Sequence, residues 1–235
     1  MPKIKKIPTK YQPKGFQILY EDRDLIIGNK APGLLTVGAM YDRVRTVHSA
    51  LNEYVRKGNS KSRQRVYVVH RLDRETSGVL IFAKSEQAQI FLKDHWKSTI
   101  KTYYTIVHGH LRKKEGLISS YLAEDDDYVV HSINDKTQGK LAETKYIVIK
   151  ESDDLSLLKI NLLTGRKNQI RVHLSDIGHP VVGDAKYGIS QRRYPLLALH
   201  SKSISLIHPF SRERMTFDAK IPEYFYRLVG QFDLT

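Results

Sequence analysis

The stretch Val66–Lys84, VYVVHRLDRETSGVLIFAK, is two apolar runs around a charged loop. Val66–Val69 and Val79–Ala83 are rich in β-branched residues, and the segment between them closes on Gly78, the pattern of a strand, tight loop and strand. All the charge sits in the loop. Arg71 and Arg74 flank Asp73, with Glu75 next to them, and guanidinium on both sides favours the ionised carboxylate. A charged aspartate on a rigid loop can act as a nucleophile. A surface turn laced with Arg–carboxylate pairs has the same spacing, so these residues alone leave both readings open.

Upstream, Phe16–Tyr20 and Leu25–Lys30 read as two short strands joined at Glu21–Asp24, followed by a turn at Ala31-Pro32-Gly33 that directs Lys30 toward whatever the turn faces. Val47, Ala50, Leu51, Tyr54 and Val55 fall at helical spacing and predict a helix ending before Gly58. The next segment, Arg56–Arg65 (RKGNSKSRQR), is a cationic loop. It suits a phosphate backbone, and it equally suits plain solvation. Downstream, Ser85 is placed to cap a helix that buries Ala88, Phe91, Leu92 and Trp96. The strand Lys101–His108 alternates, so Tyr103, Thr105 and Val107 share one face and Tyr104, Ile106 and His108 the other.

Short strands are expected at Leu117–Leu122, Tyr128–Ile133, Leu141–Ile149 and Leu155–Leu163, with Glu124–Asp127 an exposed acidic turn. The pattern then becomes helical through Ile170, Leu174 and Ile177, ending at Gly178 and Pro180. Arg171 leads that helix and Arg166 precedes it, which makes its N-terminus a natural phosphate or carboxylate site. Strands at Leu196–Ile207 and Met215–Ala219 and a helix from about Pro222, carrying Tyr224, Phe225 and Leu228, complete the chain.

With 39 Lys+Arg against 25 Asp+Glu, the 235 residues carry a formal charge of +14, and a polyanion is the fitting partner. The absence of cysteine excludes disulfides, thiolate catalysis and Cys-ligated zinc. His108-Gly109-His110 lacks a third ligand at a supporting spacing, so no metal is expected. No apolar run of about 18 residues is present, and MPKIKKIPTK has no signal-peptide core, which points to a cytoplasmic protein without membrane contact. Residues 1–15 hold Lys3, Lys5, Lys6, Lys10 and Lys14 and no acid, and read as a flexible basic arm ahead of one domain over 16–235. No linker divides that domain.

His70-Arg71-Leu72-Asp73-Arg74-Glu75-Thr76-Ser77-Gly78 resembles the signature of the RluA-type pseudouridine synthases. A second block, Leu163-Thr164-Gly165-Arg166-Lys167-Asn168-Gln169-Ile170-Arg171-Val172-His173-Leu174, is similar to the later motif of that family, with Gly178-His179-Pro180 and Gly183-Asp184 following at family-like spacing. Lys101-Thr102-Tyr103 and Gly28–Leu35 resemble two further segments, so the resemblance runs from about Phe16 to about Phe217. Two departures stand out. Lys167-Asn168 replaces a small polar residue and His, which bears on how a base edge or phosphate is read, and Ala31-Pro32 inverts the usual order in a turn.

The resemblance implies an α+β fold whose mixed, largely antiparallel sheet floors a central basic cleft, with flanking helices. It implies an isomerase that detaches a uridine from C1′ in ribosomal or transfer RNA and rejoins it through C5, with no cofactor or metal and no obligatory protein partner. Asp73 matches the catalytic carboxylate, Tyr103 the tyrosine that packs on the base, and Arg171 the arginine that pairs with the aspartate. Arg71, Arg74, His70, Lys30, Arg166, Lys167 and Asn168 are the expected RNA contacts, with His70 also orienting the loop. A glycoside or nucleoside hydrolase using Asp73, with Glu75 as its acid, and a catalytically silent RNA-binding protein are the competing readings.

Overall fold

The computed structural model describes residues 12–38, 46–188 and 194–233. Most of the basic arm expected at 1–15 therefore lies outside the described residues. Eleven strands and four α-helices are described, and the chain divides into two compact units, 1–99 with 201–220, and 100–200 with 221–235. The second division falls inside a strand, between His200 and Ser201, where composition offers no linker to read.

The first unit is built on β4 (Ser77–Ala83), whose seven residues are all buried. β2 (Leu25–Lys30) pairs with it antiparallel, Leu25 opposite Ala83 and Lys30 opposite Gly78, and β1 (Phe16–Glu21) pairs antiparallel with β2. The two-residue β3 (Tyr67–Val68) lies against the far end of β4, opposite Ala83 and Phe82. A strand with both faces covered needs an apolar residue at every position, and Val79-Leu80-Ile81-Phe82-Ala83 supplies it. Val79, Ile81 and Ala83 pack with Ala88 and Leu92 of α2 (Glu86–Asp94). Phe82 on the other face meets Phe16 edge-on and stacks on His48 of α1 (Val47–Arg56), with centroids at 6.1 and 6.3 Å.

Both helices begin where the sequence places them. Thr46 and Ser49 close a reciprocal capping box on α1, and the Ser85 hydroxyl accepts from Ala88 N at α2. Trp96 differs from expectation. α2 ends at Asp94, so the indole sits in the following 3₁₀ turn (Trp96–Ser98), still packed on the same core. The β1–β2 turn is tied to the hairpin of β10 (Leu199–Ile207) and β11 (Arg214–Asp218) through Asp22. One Asp22 oxygen accepts from the amides of Asp24 and Leu25, and the other from the Tyr20 hydroxyl and His208 Nε2 at 2.8 Å.

The second unit is an antiparallel sheet in the order β5 (Ile100–His108), β9 (Leu155–Leu162), β8 (Lys140–Ser152), β6 (Glu115–Glu124), β7 (Val130–Ile133). α3 (Gln169–Asp176) packs on it through Val172, which meets Leu122, Val130 and Ala142. His173 is buried on the same helix, its Nδ1 2.9 Å from the Thr144 hydroxyl and its Nε2 3.0 Å from that of Ser120. Ile177, expected on the apolar seam, is 38% exposed because the helix ends one residue earlier. Tyr104 stacks on Phe232, beyond α4 (Glu223–Val229), as a packing residue. Among the described residues no helix is long and apolar enough to cross a membrane.

Gly78 has φ +114°, and a Cβ there would lie 2.1 Å from the Ser201 carbonyl oxygen. Gly78→Ala combines backbone strain with a clash against main chain and should cost about 3 kcal/mol or more in urea unfolding. An unchanged midpoint contradicts this account of β4.

Candidate active site

The loop carrying Asp73 is held from both flanks by the segment that follows β2. The Thr36 hydroxyl donates to the Leu72 carbonyl at 2.9 Å and accepts from the Leu72 amide at 3.1 Å. Gly33 N donates to the Arg74 carbonyl at 2.9 Å, and Thr76 N closes the turn on the Asp73 carbonyl. The backbone on each side of Asp73 is thus fixed by bonds other than strand pairing, and the Asp73 side chain is half-buried.

Lys30 supplies the strongest of these ties. Its Nζ donates to the carbonyls of Ala31, Leu34 and Arg74 at 2.9, 2.8 and 2.9 Å, and the residue is fully buried. Burial pushes its pKa down to about 8, and the carboxylates of Glu75 and Asp73 pull the other way. Three carbonyl acceptors match the three N–H donors of an ammonium, so this geometry selects the charged form. The sequence reading placed Lys30 among the RNA contacts. The structure corrects that: no N–H is left for a phosphate, and the residue organises the loop instead.

The other residues of the loop divide in the same way. His70 accepts from Ile81 N through Nε2 at 3.2 Å and lies 4.9 Å from the Trp96 ring, so its contacts orient the start of the loop. Arg71 is exposed. Arg74 is also exposed, with Nε on the Gly33 carbonyl at 3.2 Å and Glu75 at 3.8 Å. Before it, the Arg56–Arg65 segment folds into successive turns, Asn59 N to the Arg56 carbonyl and Ser62 N to the Asn59 carbonyl. Lys57, Arg63 and Arg65 stay in solvent.

In the second unit the residues of the later motif converge on the start of α3. Asn168 caps the helix in the left-handed region at φ 54°, its amide donating to the Tyr187 hydroxyl at 3.1 Å. Gln169 is buried with four partners: its carbonyl accepts from Thr164 Oγ1 and Arg166 N, and its amide donates to the Glu143 carbonyl and Thr144 Oγ1. Arg171 is clamped. Its Nε and one terminal nitrogen donate to the two oxygens of Asp184 at 2.7 Å each, and the other terminal nitrogen donates to Asn168 Oδ1 at 3.2 Å.

Burial alone would raise the Asp184 carboxyl, but Arg171 and the amides of Tyr187 and Lys186 bring it below the usual carboxylate range. Arg166 is exposed with Nε on the Leu141 carbonyl, and Lys167 bridges Glu124 and the Tyr128 carbonyl. Tyr103, on β5, is 7% exposed. Gly183-Asp184 was visible as a motif, but its partnership with Arg171 was not. Thr36 carried no signal at all, since a hydroxyl bound to a distant backbone has no periodicity.

A fixed loop carboxylate on a strongly basic α+β chain, with arginine oriented by a buried acid, suits an enzyme that works on nucleic acid. The comparisons agree. Residues 24–176 match the family model described as RNA pseudouridylate synthase. The chain is 31% identical to tRNA pseudouridine synthase C of Haemophilus influenzae, over 92% of this chain and 97% of that one. It is 35% identical to ribosomal large subunit pseudouridine synthase C of Rickettsia felis, over 94% and 70%. The solved structure of human RNA pseudouridylate synthase domain containing 4 superposes with a TM-score of 0.74 at 23% identity, over 88% of this chain and 89% of that one, and shows the shared fold. The chain belongs to the RNA pseudouridine synthase family, whose members are isomerases.

Lys30→Met should lower the unfolding free energy by about 3 kcal/mol, because the carbonyls of Ala31, Leu34 and Arg74 each lose the ammonium as a donor. It should also speed exchange of the Gly33 amide, whose acceptor is the Arg74 carbonyl shared with Lys30. Parent-like stability and exchange in this variant would exclude the staple.

Proposed function

We propose that Asp73 is the carboxylate that acts on C1′ of a uridine, and that this chain isomerises uridine to pseudouridine in ribosomal or transfer RNA. The observation that carries the reading is the anchoring of the Asp73 loop by Lys30, Thr36 and Gly33, which spares the carboxylate any reorganisation when RNA arrives. In the reaction the N1–C1′ bond breaks, the base turns, a C5–C1′ bond forms, the C5 proton leaves and N1 gains a proton. The carboxylate either adds to C1′ or takes a proton from the sugar, and both routes need it charged. No electron is gained or lost, so the chemistry calls for no redox cofactor.

Arg171, preset by Asp184, pairs with Asp73 in this reading, and Tyr103 packs on the uracil and serves the late proton transfer from C5. Arg71 fills the place of the displaced base or contacts the backbone, since reaching C1′ requires the nucleotide to leave its stack. Arg74, Arg166, Lys167 and Asn168 line the path of the RNA in a central basic cleft. Residues 16–235 act as one catalytic domain in the cytoplasm, preceded by the basic arm. The names of the two relatives, one for tRNA and one for large-subunit rRNA, support both RNA classes as substrates.

Asp73→Asn should abolish tritium release from RNA carrying C5-tritiated uridine, while RNA affinity stays within several-fold, because phosphate contacts from Lys and Arg supply most of the binding. Undiminished turnover would refute the assignment. Replacing Arg56, Lys57, Arg63 and Arg65 by Gln should weaken binding and flatten its dependence on salt. A salt slope equal to the parent's shows that segment to be a bystander.

A further inference from the structure

The second unit contains a groove apart from the residues assigned above. We propose that it holds one unpaired nucleotide of the RNA substrate, phosphate on Arg112 and Lys113, base against Leu117 and Ile177. This rests on the RNA pseudouridine synthase reading and adds a subsite to it. The groove has a volume of about 520 Å³ and opens between the start of β6 and the C-terminal end of α3, a size that accommodates a nucleotide. Ile177, the residue that caps the C-terminal end of α3, follows Arg171 by six positions, which is about 9 Å along the helix axis.

The lining is chemically one-sided. Arg112 and Lys113 contribute cations, and among the described residues none that lines the groove is acidic. The next lysine, Lys114, is paired with Glu151 at 2.8 Å, while Arg112 and Lys113 line the groove. Leu117 and Ile177 are 55% and 38% exposed, an apolar surface beside two cations. An anion carrying a flat apolar ring, a nucleotide, satisfies both features at once: cations meet its phosphate, and the aliphatic surface covers a face of its base.

Two further details shape the site. Gly116 has no side chain where a Cβ would meet the Tyr146 ring at 2.9 Å, so the ring lies against β6 and its hydroxyl reaches the Lys113 carbonyl at 3.4 Å. The cation-bearing loop is thereby held in place. His179, which lines the groove, has Nδ1 2.9 Å from the His108 carbonyl, so Nδ1 is the donor and, in the neutral ring, Nε2 is the acceptor. An acceptor there suits the amino or imide N–H of a base edge.

The test uses the full chain with two probes, bulk tRNA and deproteinised large-subunit rRNA, each prepared with C5-tritiated uridine and, separately, with 4-thiouridine. Arg112→Gln/Lys113→Gln should reduce the slope of log affinity against log salt by roughly 0.7, the share of the one single-strand phosphate that the pair neutralises. Affinity for at least one probe should fall several-fold at an unchanged melting temperature. Leu117→Glu, a change at an exposed position, should weaken binding likewise, and light should crosslink thiouridine to the peptides holding Leu117 or Ile177. Parent-like slope and affinity, or crosslinks confined to other peptides, overturn the proposal, as they would if the groove received a protein segment. Failure of the parent to release tritium, with the slope change still present, overturns the isomerase reading and leaves the subsite standing.

Discussion

A buried ammonium sets the geometry on which the Asp73 loop depends. Lys30 ends β2, opposite Gly78 of β4, and spends all three of its donors on main-chain carbonyls, one of them from Arg74. Taking a charge out of water is costly unless every donor is matched. The turn Ala31–Leu34 and the loop after Asp73 therefore cannot move independently without stranding that charge. Thr36, bonded to both polar groups of the Leu72 backbone, fixes the other side. The carboxylate is held between two tethers, neither of which uses its own oxygens.

The second unit solves a related problem with opposite signs. There the buried anion is Asp184 and the group to be oriented is Arg171, held by two parallel N–H···O bonds that fix the plane of the guanidinium as well as its position. Gln169 and Asn168 build the helix start from which Arg171 projects, and His173 bolts the same helix to β8 and β6. Arginine on a short helix with so many polar anchors loses little further freedom when it meets a substrate or a second carboxylate. In each unit the group at issue is partly buried, and its rigidity is delegated to a more deeply buried polar neighbour, Lys30 and Thr36 for the Asp73 loop and Asp184 for Arg171.

Much of this was legible from local pattern. β2, α1 and the Ser85 cap lie where periodicity and capping residues put them, because each is encoded by neighbours within a few positions. The burial of Lys30 was not legible, since lysine is normally solvated and its acceptors are backbone groups up to 44 positions away. Trp96 was assigned to a helix that ends two residues earlier, because the indole remains on the core and only the backbone changes state. The division into two units was hidden for a different reason: its boundary runs through β10, and strand residues look alike on both sides of it. Motif resemblance supplied what spacing did not, a reason to propose Asp73 as the acting carboxylate and not only as one member of a charged turn.

The most direct test is a structure of the chain with a target RNA stem-loop carrying 5-fluorouridine, whose C5 cannot release a proton and so halts the final step. This account requires the fluorinated nucleotide to be swung out of its stack, with its sugar against the Asp73 carboxylate, its base on Tyr103 and Arg171 beside the aspartate. A nucleotide left in the helix, or a sugar facing a different carboxylate, would contradict it.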